Sequence, residues 1–190
     1  MFIRTRRLLL RPFWQTDAAA LVDAIGHYDV VKNLSTAPWP YSLQDAEQFI
    51  ALCEATTPPP ARFAILAMDV PEQPLVGSIG VDIQRGEQPV AAPELGYWIT
   101  PPHQGHGFAK EAAQALLELA FLGLGYNVVV ASCFQDNPAS AQLLNILGFS
   151  RTEEAEGYCA ARQIHVKLFR HVLLKSAWCQ GHFSTESLAA

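Results

Sequence analysis

The run Asn127-Val128-Val129-Val130-Ala131 offers water almost no polar surface. A short, continuous, β-branched segment reads as a strand covered on both sides. The fold must therefore lay other elements over both faces of the sheet that holds it. The flanking segments can supply them. Ahead of the run, Phe108, Ala112, Leu116 and Leu119 recur at intervals of four, four and three, an apolar stripe at helical period. Behind it, Pro138 suits the first turn of a helix that ends at Gly148.

The other segments follow in a mixed order. Residues 3–11 read as one strand, closed by Pro12, which has no N–H for a ladder. Asp17 is placed to cap a helix that opens with Ala18-Ala19-Ala20-Leu21-Val22. Pro38-Trp39-Pro40-Tyr41 is a rigid loop. Ser42 then caps a second helix running to about Glu54, with the acidic Asp45 in its first turn. Pro58-Pro59-Pro60 forces an extended connector. Residues 63–68 and 75–83 read as an antiparallel hairpin. Residues 94–99 form a further strand, in which Gly96 marks a bulge or a close backbone approach. The last two strands start at Phe149 and span 164–174, with Glu153-Glu154-Ala155-Glu156-Gly157 read as an acidic turn. From Gln180 the chain is polar and reads as a frayed tail. The expectation is one domain over residues 1–178 and a polar tail over 179–190. Its class is α/β or α+β around one sheet.

Composition excludes several functions. Half of the 190 residues are hydrophobic and 16% are charged, the reverse of a disordered chain. The net charge of -5 lacks the basic footprint of a nucleic-acid binder and suits a cationic substrate better. No apolar stretch approaches the roughly 20 residues of a membrane span. Leu8-Leu9-Leu10 is too short for the core of a signal peptide. Cys53, Cys133, Cys159 and Cys179 form no CxxC pair, which fits a cytoplasmic protein with reduced thiols. His103 and His106 have no metal-ligand pattern around them, so no metal is expected.

The chemistry concentrates in two turns. Gln104-Gly105-His106-Gly107-Phe108-Ala109 joins a strand to the amphipathic helix. Two glycines there allow a tight turn whose N–H groups converge at a helix N-terminus, a nest suited to phosphate. It is neither a Walker A loop nor a dinucleotide fingerprint. A plain helix cap would use the same residues, and both readings stay open. The second turn is Asp136-Asn137-Pro138-Ala139-Ser140. By itself it reads as capping, with Asn137 as N-cap and Ser140 satisfying backbone groups.

Gln104-x-x-Gly107-x-Ala109 resembles the acetyl-CoA motif of the GNAT N-acetyltransferases. Asn137-Pro138-Ala139-Ser140 followed by Leu147-Gly148-Phe149 resembles the next motif of that superfamily. Thr5-x-Arg7-Leu8-x-Leu10-Arg11-Pro12 with Asp17 is similar to the opening of its RimJ/RimL-type subgroup, as are Trp39-Pro40-Tyr41, Gly77-Ser78-Ile79-Gly80 and Leu95-Gly96-Tyr97-Trp98. The matches keep their order from about residue 5 to residue 178.

The resemblance implies a single mixed, mostly antiparallel sheet of about seven strands with a central splay and flanking helices. The splayed strands would be residues 94–100 and 127–134. It implies acetyl-CoA as co-substrate. The pantetheine arm would lie along Ile99 and Thr100, and the pyrophosphate on residues 105–109 (Gly105, His106, Gly107, Phe108, Ala109), with Gln104 nearby. Asn137 and Ser140 would complete the cofactor side. The implied reaction is direct attack by a primary amine, of a protein N-terminus or a small molecule, in a ternary complex. A base is needed to neutralise the amine, and Glu94 at the start of the splayed strand is the candidate. A backbone N–H on that strand would serve the developing oxyanion. Many GNAT enzymes protonate the thiolate with a helical Tyr, but that position here is Leu144. Ser140 or Asn137 would hydrogen-bond the sulfur instead. Trp14, Trp39, Tyr41 and Trp98 are candidates for the acceptor pocket or for packing. The alternative functions are a non-catalytic acyl-CoA sensor and an interaction protein on the same scaffold. The expected state is a monomer or homodimer.

Overall fold

The computed structural model describes residues 1–55, 61–72, 74–83 and 92–186. The strands are β1 (Ile3–Arg4), β2 (Leu8–Arg11), β3 (Ala61–Ala67), β4 (Leu75–Ile83), β5 (Pro93–Ile99), β6 (Val128–Phe134), β7 (Ser150–Cys159) and β8 (Ile164–Leu174). They form one sheet in the order β1-β2-β3-β4-β5-β6-β8-β7. Only β5 and β6 run parallel; the other neighbours are antiparallel. The helices are α1 (Ala18–Ile25), α2 (Tyr28–Val31), α3 (Leu43–Ala55), α4 (Phe108–Glu118), α5 (Pro138–Ile146) and α6 (Lys175–Glu186).

Among the described residues there are eight strands because the first predicted strand folds back on itself, with Ile3 opposite Leu10. Thr5 closes that turn. Its N–H donates to the Leu8 carbonyl at 3.0 Å, and its Oγ1 accepts the Leu8 N–H at 2.9 Å. A side chain competing for backbone groups bends a segment that hydrophobicity alone reads as straight.

Helix α4 lies over β2, β4 and β5. Phe108, Ala112, Leu116 and Leu117 are buried there with Leu8, Ile65 and Val76 of the sheet. Each such large apolar side chain contributes about 1.5–3 kcal/mol when fully buried. Leu119, the last residue of the predicted stripe, is only partly buried where α4 passes into a π-helical turn. On the opposite face, α1 and α3 bury Leu21, Ile25, Ala46 and Ile50 with Phe13 and Ala64. Ser42 and Asp45 cap α3 reciprocally. The Ser42 N–H donates to the Asp45 carboxylate at 2.8 Å, and the Asp45 N–H donates to Ser42 Oγ at 3.2 Å.

Several expectations need correction. In β6, Val129, Ala131 and Cys133 are buried, whereas Val128 and Val130 are half-buried and Ser132 is exposed. Among the described residues, no β6 side chain joins the cluster under α1 and α3, so the run is covered fully on one face only. Gly96 forms no bulge, since the β4–β5 register is unbroken from Gly77–Ile99 to Ile83–Pro93. The acidic run lies within strand β7, where Glu153 pairs with Arg170 at 3.2 Å and Glu154 with Arg151 at 2.6 Å. Helix α6 runs through the segment read as a frayed tail. Its Trp178 is buried against Phe121, ring centroids 5.4 Å apart, and that contact docks it. Pro58-Pro59-Pro60 lies outside the described residues.

Candidate functional site

Strands β5 and β6 share two rungs, Glu94–Val130 and Leu95–Ala131. Beyond Leu95 they part, and a cleft of about 1010 Å³ opens there. The Thr100 N–H donates to the Val76 carbonyl on the β4 side at 2.9 Å. Backbone groups alternate sides along a strand, so Tyr97 and Ile99 direct theirs toward β6, past the last shared rung. Gln104 Nε2 donates to the Ile99 carbonyl at 2.8 Å. Both groups of Tyr97 and the N–H of Ile99 are therefore left facing the cleft. A strand edge of this kind can pair with an extended ligand.

The turn after β5 meets α4 with Gly105 at φ 78° and Gly107 at φ 79°. Left-handed backbone of this kind costs an L-residue about 1–2 kcal/mol. Space does not demand glycine. A Cβ at Gly105 would meet nothing within 4 Å, and at Gly107 only Arg7 Nη2 at an ordinary 3.5 Å. The outer side of the turn is pinned by Arg7, whose Nη1 donates to the His106 carbonyl at 2.9 Å. Glu111 of α4 in turn accepts from Arg7 Nε at 2.7 Å, from the Arg7 N–H at 2.8 Å and from Thr5 Oγ1 at 2.6 Å. Burial pushes the Glu111 carboxyl up, but the hydrogen bonds from Thr5 and Arg7 outweigh it and hold it below the usual range. Sequence reasoning missed Glu111. Its only signal was its place one turn into the helix after the glycines.

On the other arm, Asn137 Oδ1 caps α5 by accepting the Ser140 N–H at 3.2 Å. Ser140 Oγ lies 2.9 Å from the Tyr97 hydroxyl. Leu144 is buried in the core. Arg162, also missed, ties the turn after β7 to two loops near the cleft. Its Nε donates to the Lys32 carbonyl at 2.7 Å, and its Nη1 meets Asp136 at 2.6 Å.

Glu94 and Ile99 from β5, Gln104, Gly105, Gly107, Phe108 and Ala109 from the turn and α4, and Asn137 and Ser140 from α5 line the one cleft. Thr100 and His106 do not. Thr100 is buried with its N–H spent on β4, and the His106 ring bonds back to the Gln104 carbonyl at 2.9 Å. The cleft continues past Glu94 and Trp98 toward Asp29, Tyr41, Asp45 and Phe49. Burial pushes the Tyr41 phenol up to about 12, with Asp45 and Cys53 adding to it. Trp14 instead stacks on the Arg11 guanidinium at 3.8 Å, and Trp39 packs edge-on against Tyr28 at 5.6 Å. Among the described residues no group of His, Cys, Asp or Glu could hold a metal ion. None of the four cysteines is in a disulfide. No described helix is long and apolar enough to cross a membrane.

The sheet thus parts between two parallel strands, and the left-handed Gly105–Gly107 turn opens the adjoining helix at that cleft. The chain belongs to the GNAT acetyltransferases: the family model for the acetyltransferase (GNAT) domain matches residues 7–150. It is 28% identical over 172 residues to the uncharacterised N-acetyltransferase p20 of Bacillus licheniformis, covering 90% of this chain and 94% of that one. Its fold is similar to that of the ribosomal-protein-S5-alanine acetyltransferase of Vibrio fischeri, with TM-score 0.75, 18% identity, and 94% and 98% of the two chains covered. It is also similar to the microcin C7 self-immunity acetyltransferase MccE, solved with acetyl-CoA and AMP, with TM-score 0.72, 16% identity, and 90% and 93% covered.

Proposed function

We propose that this acetyltransferase moves the acetyl group of acetyl-CoA to a primary amine, of a protein N-terminus or a small molecule, by direct attack in a ternary complex. The observation that carries the reading is the pairing of an unsatisfied β5 edge with the left-handed Gly105–Gly107 turn on one cleft. An extended amide-bearing arm ending in a pyrophosphate is complementary to that pairing. The structure of MccE with acetyl-CoA agrees with the choice of donor. The distant likeness to a ribosomal-protein acetyltransferase and the Thr5–Arg7 opening favour a RimJ/RimL-like subgroup and a cytoplasmic setting.

When bound, acetyl-CoA supplies an activated thioester. The N–H groups of residues 105–109 hold its pyrophosphate, while Gln104 fixes the end of β5 that pairs with the pantetheine arm. Asn137 orients the first turn of α5, so that Ser140 faces the cleft. Glu94 accepts the proton that the incoming ammonium must lose before it can attack. Asp45 and Glu94 place negative charge along the acceptor end, where Asp29 is already paired with Lys32, and that charge draws a cationic amine inward.

The test is an acetyl-CoA assay over a mixed amine and peptide library, read by mass spectrometry. Acetylated amines are expected. Acetyl-CoA binding without turnover on any amine would favour the sensor instead. With the best acceptor, Glu94→Gln is expected to lower kcat/KM by about a hundredfold while leaving acetyl-CoA binding unchanged. An unchanged kcat/KM would return Glu94 to an ordinary strand-end carboxylate.

A further inference from the structure

Tyr97 stands two residues beyond the last rung that β5 shares with β6. Ser140 stands in the first turn of α5, on the far arm of the splay. The 2.9 Å contact between their hydroxyl oxygens therefore crosses the open end of the cleft. The Tyr97 ring packs against the α4-side core, which fixes where its hydroxyl can sit. Burial pushes the phenol up to about 12, against a smaller lowering by the Ser140 bond. At neutral pH the phenol keeps its hydrogen, and at 2.9 Å either hydroxyl can be the donor to the other, with the Ser140 carbonyl a weaker acceptor for the phenol at 3.4 Å. A serine oxygen that accepts from the phenol keeps its own hydrogen to donate elsewhere. The Ser140 N–H already serves the Asn137 cap, and Ser140 lines the cleft.

We propose that Tyr97 is a positioning residue: its hydroxyl holds Ser140 Oγ across the splay so that the serine hydrogen is presented to the sulfur of a bound thioester. This rests on the acetyl-CoA reading above. In the transfer, the amine nitrogen bonds to the carbonyl carbon. The C–S bond breaks with its electron pair on sulfur. The proton lost from nitrogen is matched by the one sulfur gains, exchanged through water. Ser140 donates a hydrogen bond to the sulfur as its charge grows, and Tyr97 keeps that donor aimed without giving up its own proton.

The experiment needs no acceptor. CoA and desulfo-CoA are bound to the wild type, Tyr97→Phe, Ser140→Ala and the double variant. The bound thiol is titrated by its thiolate ultraviolet absorbance, with the desulfo-CoA complex as the tyrosine background. A hydrogen bond to the charged form favours it. The wild type is therefore expected to prefer the thiolate about tenfold over free CoA. Tyr97→Phe should lose that preference while binding desulfo-CoA as the wild type does. The double variant should lose no more than Ser140→Ala. A thiolate preference unchanged in Tyr97→Phe, or equal weakening of CoA and desulfo-CoA, overturns the proposal and leaves the tyrosine as packing alone. Failure of CoA to bind the wild type overturns the acetyl-CoA reading and this proposal together.

Discussion

Gly107→Val is expected to weaken acetyl-CoA binding at least about a hundredfold in a protein that still folds. The residue sits at φ 79° as N-cap of α4. A β-branched side chain resists that conformation more than other L-residues do. The turn would shift to relieve it, and the N–H groups proposed to hold the pyrophosphate would turn away. Hydrogen bonds to charged groups contribute about 1.5–3 kcal/mol each, so losing two of them suffices for a hundredfold. The helix itself should survive, because Ala112 and Leu116 are fully buried beyond the turn. Gly107→Asn separates the causes, since asparagine tolerates the left-handed region. It should keep much more affinity than valine if the dihedral decides. Isothermal titration measures the loss. Thermal protection checks it, because a ligand at a hundred times its Kd stabilises by about 2.7 kcal/mol. Wild-type affinity in folded Gly107→Val would reduce residues 104–109 to a helix cap.

Helices α1, α3, α4 and α5 and most strands were legible from period and helix-start residues, whereas α2 and α6 were not. The α4 stripe and the Ser42–Asp45 cap are local signals that tertiary packing reinforced. Where the sequence misled, a longer-range partner had taken over. Asp17 has the composition of an N-cap, but its side chain makes no cap bond to α1. It is held by Arg11 from the preceding strand. The acidic run at 153–156 looks like a turn because its charges are dense. Strand pairing with β8, the cross-strand Arg170 and the same-strand Arg151 accommodate them.

The candidate site was legible as motifs, not as contacts. Gly105 and Gly107 announce their backbone, because only glycine enters that region freely. Nothing in one dimension tells which strand groups remain after pairing. The edge groups of Tyr97 could be assigned only once the Thr100 N–H was found on Val76. Tyr97 and Ser140 are 43 positions apart, and Arg7 and Glu111 are 104 apart. Pairings of that kind are fixed by the register of the sheet, which single-sequence patterns do not encode.

The largest stability loss is expected at Asp17→Ala, about 3–5 kcal/mol. Arg11 and Asp17 are 7% and 8% exposed, so neither charge is solvated if its partner is removed. The pairing is bidentate, at 2.6 and 2.8 Å. The carboxylate also accepts the Trp14 N–H at 2.8 Å, fixing the turn that leads into α1. Removing it would leave the guanidinium with the Pro12 carbonyl and the Trp14 ring. Burial pushes the Asp17 carboxyl up, but hydrogen bonds from Arg11 and Trp14 and the Arg11 charge outweigh it, so the net pKa is lowered. The stability from a depressed acid is complete above its unfolded value, near 3.9, and is lost as pH falls through the folded value. Urea unfolding at pH 7 should show the full deficit of Asp17→Ala. Below about pH 4 the gap between wild type and Asp17→Asn should narrow, since the unfolded wild-type carboxyl takes up its proton there, and it should close only as pH falls through the lowered folded value. A deficit under about 1 kcal/mol at pH 7 would place the pair with ordinary surface ion pairs. It would also mean that Arg11 finds water when Asp17 is gone.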